Sequence, residues 1–265
     1  MSSRNLAVSG QFYPDNKNEL IRYIEHFNKI LEQNNIKKQE DLSIRAIIVP
    51  HAGYIYSGFT ANIAYKYIPK DIKNIIVIGP SHRYGFEGAS VAQYDIYPTP
   101  FGDLEINKQI NENIINKFEF LGFSDMVHKE HSTETQFPFI KYYKSDAKVV
   151  ELIYSKIEYK KLSLVIEELL KDNNNFIIIS TDLSHFYNLD EANEKDKICL
   201  DAINKKDIKL IDSGCEACGK LGVKAMLDVA NNLNFNVKFL DYRTSGDVTK
   251  DNSSVVGYTS FAFYN

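Results

Sequence analysis

The sequence predicts one α/β domain over residues 1–265, with a largely parallel central sheet flanked by helices. Three observations carry this. Strand-like and helix-like segments alternate along most of the chain, the order produced when helices cross between parallel strands. The strand-like segments are continuous apolar runs ("AIIV" at 46–49, "IIVI" at 75–78, "FIII" at 176–179) and not alternating ones. Such runs belong to strands covered on both faces. Finally, no Gly/Ser linker, low-complexity block or long charge run divides the chain, and α/β domains of this length commonly stay undivided.

Taken in order, Asp15 is placed to N-cap a helix over Asn16 to Gln33, in which Leu20, Ile21, Ile24, Phe27, Ile30 and Leu31 repeat at three- and four-residue spacing. A strand at Ile44 to Val49 leads into a loop, "PHAGYIYSG", and a helix from Phe59 to Tyr67. Strands follow at Asn74 to Ile78 and Ala89 to Ala92. Gln93 to Asp103, with Pro98 and Pro100, reads as loop or extended edge. Helices are expected at Asn107 to Lys117 and Thr133 to Tyr143, the second with Ser132 as a cap. Then come a strand at Lys148 to Ile153, a helix at Ile157 to Leu170 and a strand at Phe176 to Ser180. Helices recur at Leu189 to Ile203, Lys206 to Ile211 and Gly219 to Leu233. Two long β-like runs, Asn236 to Arg243 and Ser254 to Tyr264, close the chain as an antiparallel pair.

Composition excludes several functions. With a formal net charge of -4 and only short, mixed Lys stretches, the chain lacks the basic stripe of a nucleic-acid binder. No segment approaches the ~18 consecutive apolar residues of a membrane span. The start, "MSSRNLAVSGQFYP", has no apolar core of a signal peptide. Three cysteines argue against a disulfide framework and for a reducing, cytoplasmic setting.

Three of the six histidines carry the functional signal. His51, His82 and His185 each follow an apolar strand by two to five residues. In open α/β sheets ligands bind outside the carboxyl ends of the strands, so parallel pairing sets all three on one rim. Imidazole is both the commonest metal ligand and the group best suited to proton transfer near neutrality. Asp182, three residues before His185, is placed to orient a ligand histidine or share in acid–base work. In "HKEHSTETQFPF", His131 and Glu134 open a helix, and they read equally as a simple helix start or as the edge of the site. His128 is a weaker candidate, and His26 reads as a surface residue. Cys215 and Cys218 precede a helix start, a position that favours a thiolate. They suggest a redox dithiol or half a zinc site, or a chance pair. Cys199 reads as core packing.

The stretches "AVSGQFYP", "VPHAGYIYSG", "IGPSH", "EHSTETQFPF", "STDLSHF", "CGK" and "SGDVTKDNSSVVGY" occur in the order seen in the Memo family, whose microbial members are called AmmeMemoRadiSam system protein B. The resemblance runs from about Ala7 to Phe263. It implies a fold similar to class III extradiol dioxygenases. It also implies two histidine metal ligands at His51 and His82, a cysteine ligand at Cys218, and pocket residues at Asp182 and His185, with His185 where those dioxygenases keep a catalytic histidine. Tyr54 of "PHAGY" joins His131 and Glu134 as a further pocket candidate. The cofactor implied is an iron or copper ion, with zinc as an alternative. The partners implied are a small molecule or peptide and proteins of a radical-SAM system. Ring-cleaving dioxygenases use two His and one carboxylate, so a cysteine as third ligand removes the expectation of ring cleavage. Three readings follow: a metal-dependent oxidoreductase, a binding protein using the same pocket, and a zinc hydrolase. Cys215 stands outside the family motif and is spaced to form a disulfide with Cys218 on oxidation.

Overall fold

The apolar runs of the sequence become adjacent strands in the computed structural model, which describes residues 1–34 and 42–265. In chain order the elements are α1 (Lys17–Gln33), β1 (Ile44–Val49), α2 (Tyr54–Tyr65), β2 (Asn74–Pro80), β3 (Ala89–Val91), β4 (Ile96–Tyr97) and β5 (Leu104–Glu105). They continue with α3 (Lys108–Lys117), β6 (Leu121–Gly122), α4 (His131–Glu134), α5 (Phe137–Tyr143), β7 (Lys148–Tyr154), α6 (Tyr159–Leu170), β8 (Asn175–Ser180) and β9 (His185–Tyr187). The last are α7 (Leu189–Lys205), α8 (Ile208–Asp212), α9 (Lys220–Asn232), β10 (Asn236–Thr244), α10 (Gly246–Thr249) and β11 (Val255–Tyr264).

The main sheet runs β10-β11-β1-β8-β2-β7-β3-β6, with β9 paired to β11. Its centre, β1-β8-β2-β7, is parallel. The pairs β10-β11, β11-β1 and β7-β3 are antiparallel, so the sheet is mixed with a parallel heart. The two faces divide the strand residues by parity. Ala46, Ile48, Ile76, Ile78, Ile177 and Ile179 face one core, under α6, α7 and α9. Ile47, Val49, Ile75, Val77, Phe176 and Ile178 face the other, under α1, α2 and α5. Both faces are dry, which is why the strands read as unbroken apolar runs. No helix among the described residues is long and apolar enough to cross a membrane.

Several local expectations are corrected. Asn16, not Asp15, caps α1, accepting from the amides of Asn18 and Glu19. Helix α2 starts at Tyr54, not Phe59, because the Tyr54 amide is satisfied by the Phe12 carbonyl at 2.7 Å. The helix expected over Thr133 to Tyr143 is two helices. Pro138 lacks an amide hydrogen and is tolerated only in a first turn, so α5 begins anew just before it. Ser132 does not cap α4; the Glu130 side chain does. The segment Gln93 to Asp103 is loop and short extended edge as expected, with Ile96 and Tyr97 paired to Glu105 and Leu104.

The cysteine expectation also changes. Cys199 and Cys215 form a disulfide, so Cys199 is more than core packing and Cys215 is not the partner of Cys218. Sixteen residues separate them, and the return of the chain through α8 brings their Cα atoms to 4.8 Å. Cys218 is the free cysteine.

Beneath β2, β3 and β7 lies a buried ionic network. Arg4 is ion-paired with Glu134 and lies 3.7 Å from Glu151. Glu151 Oε2 receives His128 Nδ1–H at 2.7 Å, and its Oε1 receives the Thr133 hydroxyl at 2.6 Å. His128 Nε2 in turn accepts from the Ser90 hydroxyl at 2.9 Å. The order serine, histidine, carboxylate has the hydrogen bonding of a nucleophilic triad. Ser90, however, sits mid-strand at 3% exposure and His128 at 0%, so the arrangement is a brace between β3 and β7. Burial alone would raise the Glu151 pKa, but the Arg4 charge and the hydrogen bonds from His128 and Thr133 outweigh it and hold the group below its ordinary value of 4.5. A depressed folded pKa contributes stability above the unfolded value, and that stability is lost as pH falls through the folded one. Replacing Glu151 by Gln should therefore cost about 3 kcal/mol in urea unfolding at neutral pH, because Arg4 loses a buried partner. It should also flatten the loss of stability below about pH 4.5. Parallel pH curves for the two proteins would show that Glu151 is not the group responsible.

Candidate metal centre

The parallel heart of the sheet delivers three chain ends to one rim. β1 ends at Val49, two residues before His51; β2 ends at Pro80, two before His82; β8 ends at Ser180, two before Asp182. Val49 and Ser180 are register partners, so the loops leave the sheet side by side. Cys218 arrives from elsewhere, on the turn before α9. Its placement depends on Gly219, whose missing side chain lets the turn press against the end of β8. A Cβ there would lie 2.6 Å from Thr181 Cβ and 2.7 Å from the Ser180 carbonyl oxygen. The Gly219 amide donates to Thr181 Oγ1 at 2.8 Å, and the Cys218 amide donates to the Asp182 carbonyl at 3.2 Å.

These constraints bring ligand atoms of His51, His82 and Cys218 within 4.8 Å of one another. His51 Nε2 is 3.3 Å from Cys218 Sγ. The hydrogen bonds of Ser180 fix the His51 tautomer. The Ser180 hydroxyl has one hydrogen, which goes to the Ser132 carbonyl at 2.5 Å. It therefore accepts from His51 Nδ1 at 2.9 Å and from Gln136 Nε2 at 3.0 Å. Nδ1 carries the ring hydrogen, and Nε2 presents a bare lone pair to the sulfur.

The electrostatics agree. Burial, then the neighbouring His131 and His82, pushes the His51 pKa well below the usual histidine value, so the ring is neutral as a metal ligand must be. Burial, then Asp182, pushes the Cys218 thiol up to about 12. Without a cation the sulfur keeps its proton and donates it toward His51 Nε2. A thiol and two imidazoles form a donor set that suits a soft cation. Asp182 is buried, and burial raises its pKa. Its Oδ1 accepts from the His51 amide at 2.7 Å, and its own amide reaches Cys218 Sγ at 3.2 Å. Asp182 thus holds both His51 and Cys218 in place.

The remaining candidates separate. His185 lies half-buried at the start of β9, three residues past Asp182 and paired with Val256 of β11. The next residue, Phe186, is 76% exposed and has φ 66°, a strained conformation for an aromatic residue, and it stands on the rim beside His185. His131 joins the centre, its ring 5.3 Å from His51 and 4.4 Å from His82. Glu134 does not turn toward the other histidines. Its carboxylate accepts from the amides of Ala7 and Val8 and from the Tyr13 hydroxyl, and pairs with Arg4, tying the N-terminal segment to α4. Tyr54 is fully buried, its hydroxyl donating to the Thr135 carbonyl at 2.7 Å and its ring stacked on Phe139. Three residues escape a reading of the sequence: Ser180, Glu130 and Gly219. Their partners are distant in the chain, apart from His131 and Ser132 beside Glu130, and only the pairing of Cys218 with a following glycine left a local trace. Three cavities of about 660, 540 and 510 Å³ are lined by residues outside this centre.

A mixed α/β sheet with two imidazoles and a thiol gathered at its carboxyl rim defines the class of protein. Comparison with known proteins gives the family. The model of the family described as "Memo-like protein" matches residues 4–262. A MEMO1 family protein of Aquifex aeolicus is 33% identical over 275 residues, covering 99% of this chain and 100% of that one. Another from Methanococcus maripaludis is 34% identical over 279 residues, covering 97% and 98%. A third, from Thermoplasma acidophilum, is 34% identical over 266 residues, covering 97% of each. The chain belongs to the Memo-like family.

The close packing at Gly219 is testable. Gly219→Ala should push the start of α9 away from Thr181, cost about 1–3 kcal/mol, and loosen Cys218. With Cys199 and Cys215 bonded to each other, a disulfide reagent reads Cys218 alone. Wild type should react slowly and the variant several-fold faster; equal rates would mean that Gly219 does not set the position of the thiol.

Proposed function

We propose that this protein is a metal-dependent oxidoreductase that uses iron or copper held by His51, His82 and Cys218. The observation that supports the reading most is the convergence of these three donors, two imidazoles and a thiol, within 4.8 Å on one rim. This donor set is softer than two histidines and a carboxylate and favours iron(II), copper(I) or zinc over magnesium or calcium. When bound, iron or copper supplies one-electron chemistry with oxygen. Asp182 anchors the His51 amide and, through its own amide, the Cys218 sulfur. His185 carries protons between solvent and the centre from the exposed side. The substrate enters over the same rim, where His82 retains 30% side-chain exposure. Proteins of a radical-SAM system remain the partners we propose from the family resemblance.

Two measurements check this. In competition with a chromophoric chelator, Cys218→Ser should bind iron(II) or zinc about a hundredfold more weakly or worse, since it loses a ligand and not merely a ligand's support. In an oxygen electrode with a reductant, the iron- or copper-loaded protein should consume oxygen faster than free metal. His185→Ala should keep the metal and lose about a hundredfold in rate, and His51→Ala should lose both. If the loaded protein is no faster than free metal, the redox reading fails. Ester hydrolysis by the zinc form would then favour a hydrolase, and its absence a binding protein.

A further inference from the structure

Glu130 lies beneath the centre with 0% exposure. Its ligand atoms and those of His82 and His131 fall within 4.8 Å of one another, which on distance alone resembles a second cation site. The hydrogen bonds exclude that. Oε2 accepts from the His82 amide at 2.7 Å. Oε1 faces His82 Nδ1 at 3.1 Å, His131 Nδ1 at 2.9 Å and the Ser132 amide at 3.2 Å. Each carboxylate oxygen has about two lone-pair positions: three N–H groups crowd Oε1, and Oε2 takes one. Oε1 is therefore committed to donors, and the Nδ1 atoms of both rings are engaged with it and not with a cation.

We infer that Glu130 is the positioning residue of the centre, a single buried carboxylate that fixes His82 and His131 together as Nδ1–H tautomers and leaves Nε2 of each ring bare. The reason is the count of hydrogens. A neutral imidazole carries one N–H, and an ionised carboxylate only accepts, so each ring must turn its hydrogen to Glu130. His51 reaches the same tautomer through Ser180. The centre thus holds three imidazoles with bare Nε2 atoms, two of them set by one side chain. His82 supplies its lone pair to the cation of the function proposed above, and the effect on affinity rests on that reading. His131, held in the same tautomer with its ring against His82 and His51, is a hydrogen-bond acceptor. A molecule seated against it must bring a donor, such as water or a hydroxyl group.

Long-range proton–nitrogen correlation spectra of the metal-free protein at about pH 8, where imidazoles are neutral, read the tautomers directly. Wild type should show Nδ1–H at both His82 and His131; Nε2–H at either would overturn the inference without need of a variant. In Glu130→Gln the amide cannot accept from all four donors, and the two rings should lose the single tautomer while His51 keeps it. Zinc affinity, measured with zinc alone against a chromophoric chelator, should fall about 10- to 100-fold, the usual effect of losing a ligand's carboxylate support. Unchanged tautomers with affinity within about twofold of wild type would overturn the inference. If wild type binds no zinc, the metal reading fails, and the tautomers alone still decide the role of Glu130.

Discussion

Parallel pairing of β1, β8 and β2 is the constraint on which the rest depends. Only when these strands run in one direction do their three carboxyl ends emerge together, and only then do His51, His82 and Asp182 meet. Parallel strands need long crossovers, so helices cover both faces of the sheet and its interior strands are dry on both sides. The flanking antiparallel strands β11 and β10 close the other half of the sheet without disturbing that rim, and β11 brings β9 with His185 alongside.

A second organising feature is the segment from His128 to Gln136. Nearly every polar side chain in it is buried, and each serves a different element. His128 reaches β3 and β7, Glu130 holds His82, Ser132 bonds the Pro80 carbonyl, Glu134 gathers the N-terminal segment, and Gln136 reaches Pro50 and Ser180. Buried polar groups are costly unless satisfied, and these are satisfied mutually. The centre is therefore built on a rigid base: rotation of either ring would leave a carboxylate or a hydroxyl unpaired.

The local electrostatics suit the cation proposed for this centre. His51 is neutral because it is buried among other imidazoles, and the half-buried Cys218 holds its proton because its sulfur is desolvated near the Asp182 carboxyl group. Neither group is charged in isolation, so the protein folds without an uncompensated charge at the rim. The thiol proton between sulfur and Nε2 is the single atom that a soft cation would displace.

The chain itself determined the alternation of strands and helices, the burial of the strands on both faces, the antiparallel C-terminal pair, and the strand-end position of three histidines. Each is a local or periodic property, set by apolar spacing and by where the spacing stops. It did not determine the break at Pro138 correctly, because a long apolar pattern conceals a helix that restarts. Nor did it give the pairing of Cys199 with Cys215, which depends on how α7 and α8 fold back. Glu134 and Tyr54 stood close to the motif residues in sequence, yet tertiary packing turned them to the N-terminal segment and to Thr135. Glu130 sits beside His131 in the chain but acts on His82, 48 residues away. Hydrogen-bond direction, and with it the tautomer of each ring, is a property of donors and acceptors brought together from distant segments, so only the tertiary structure decided it.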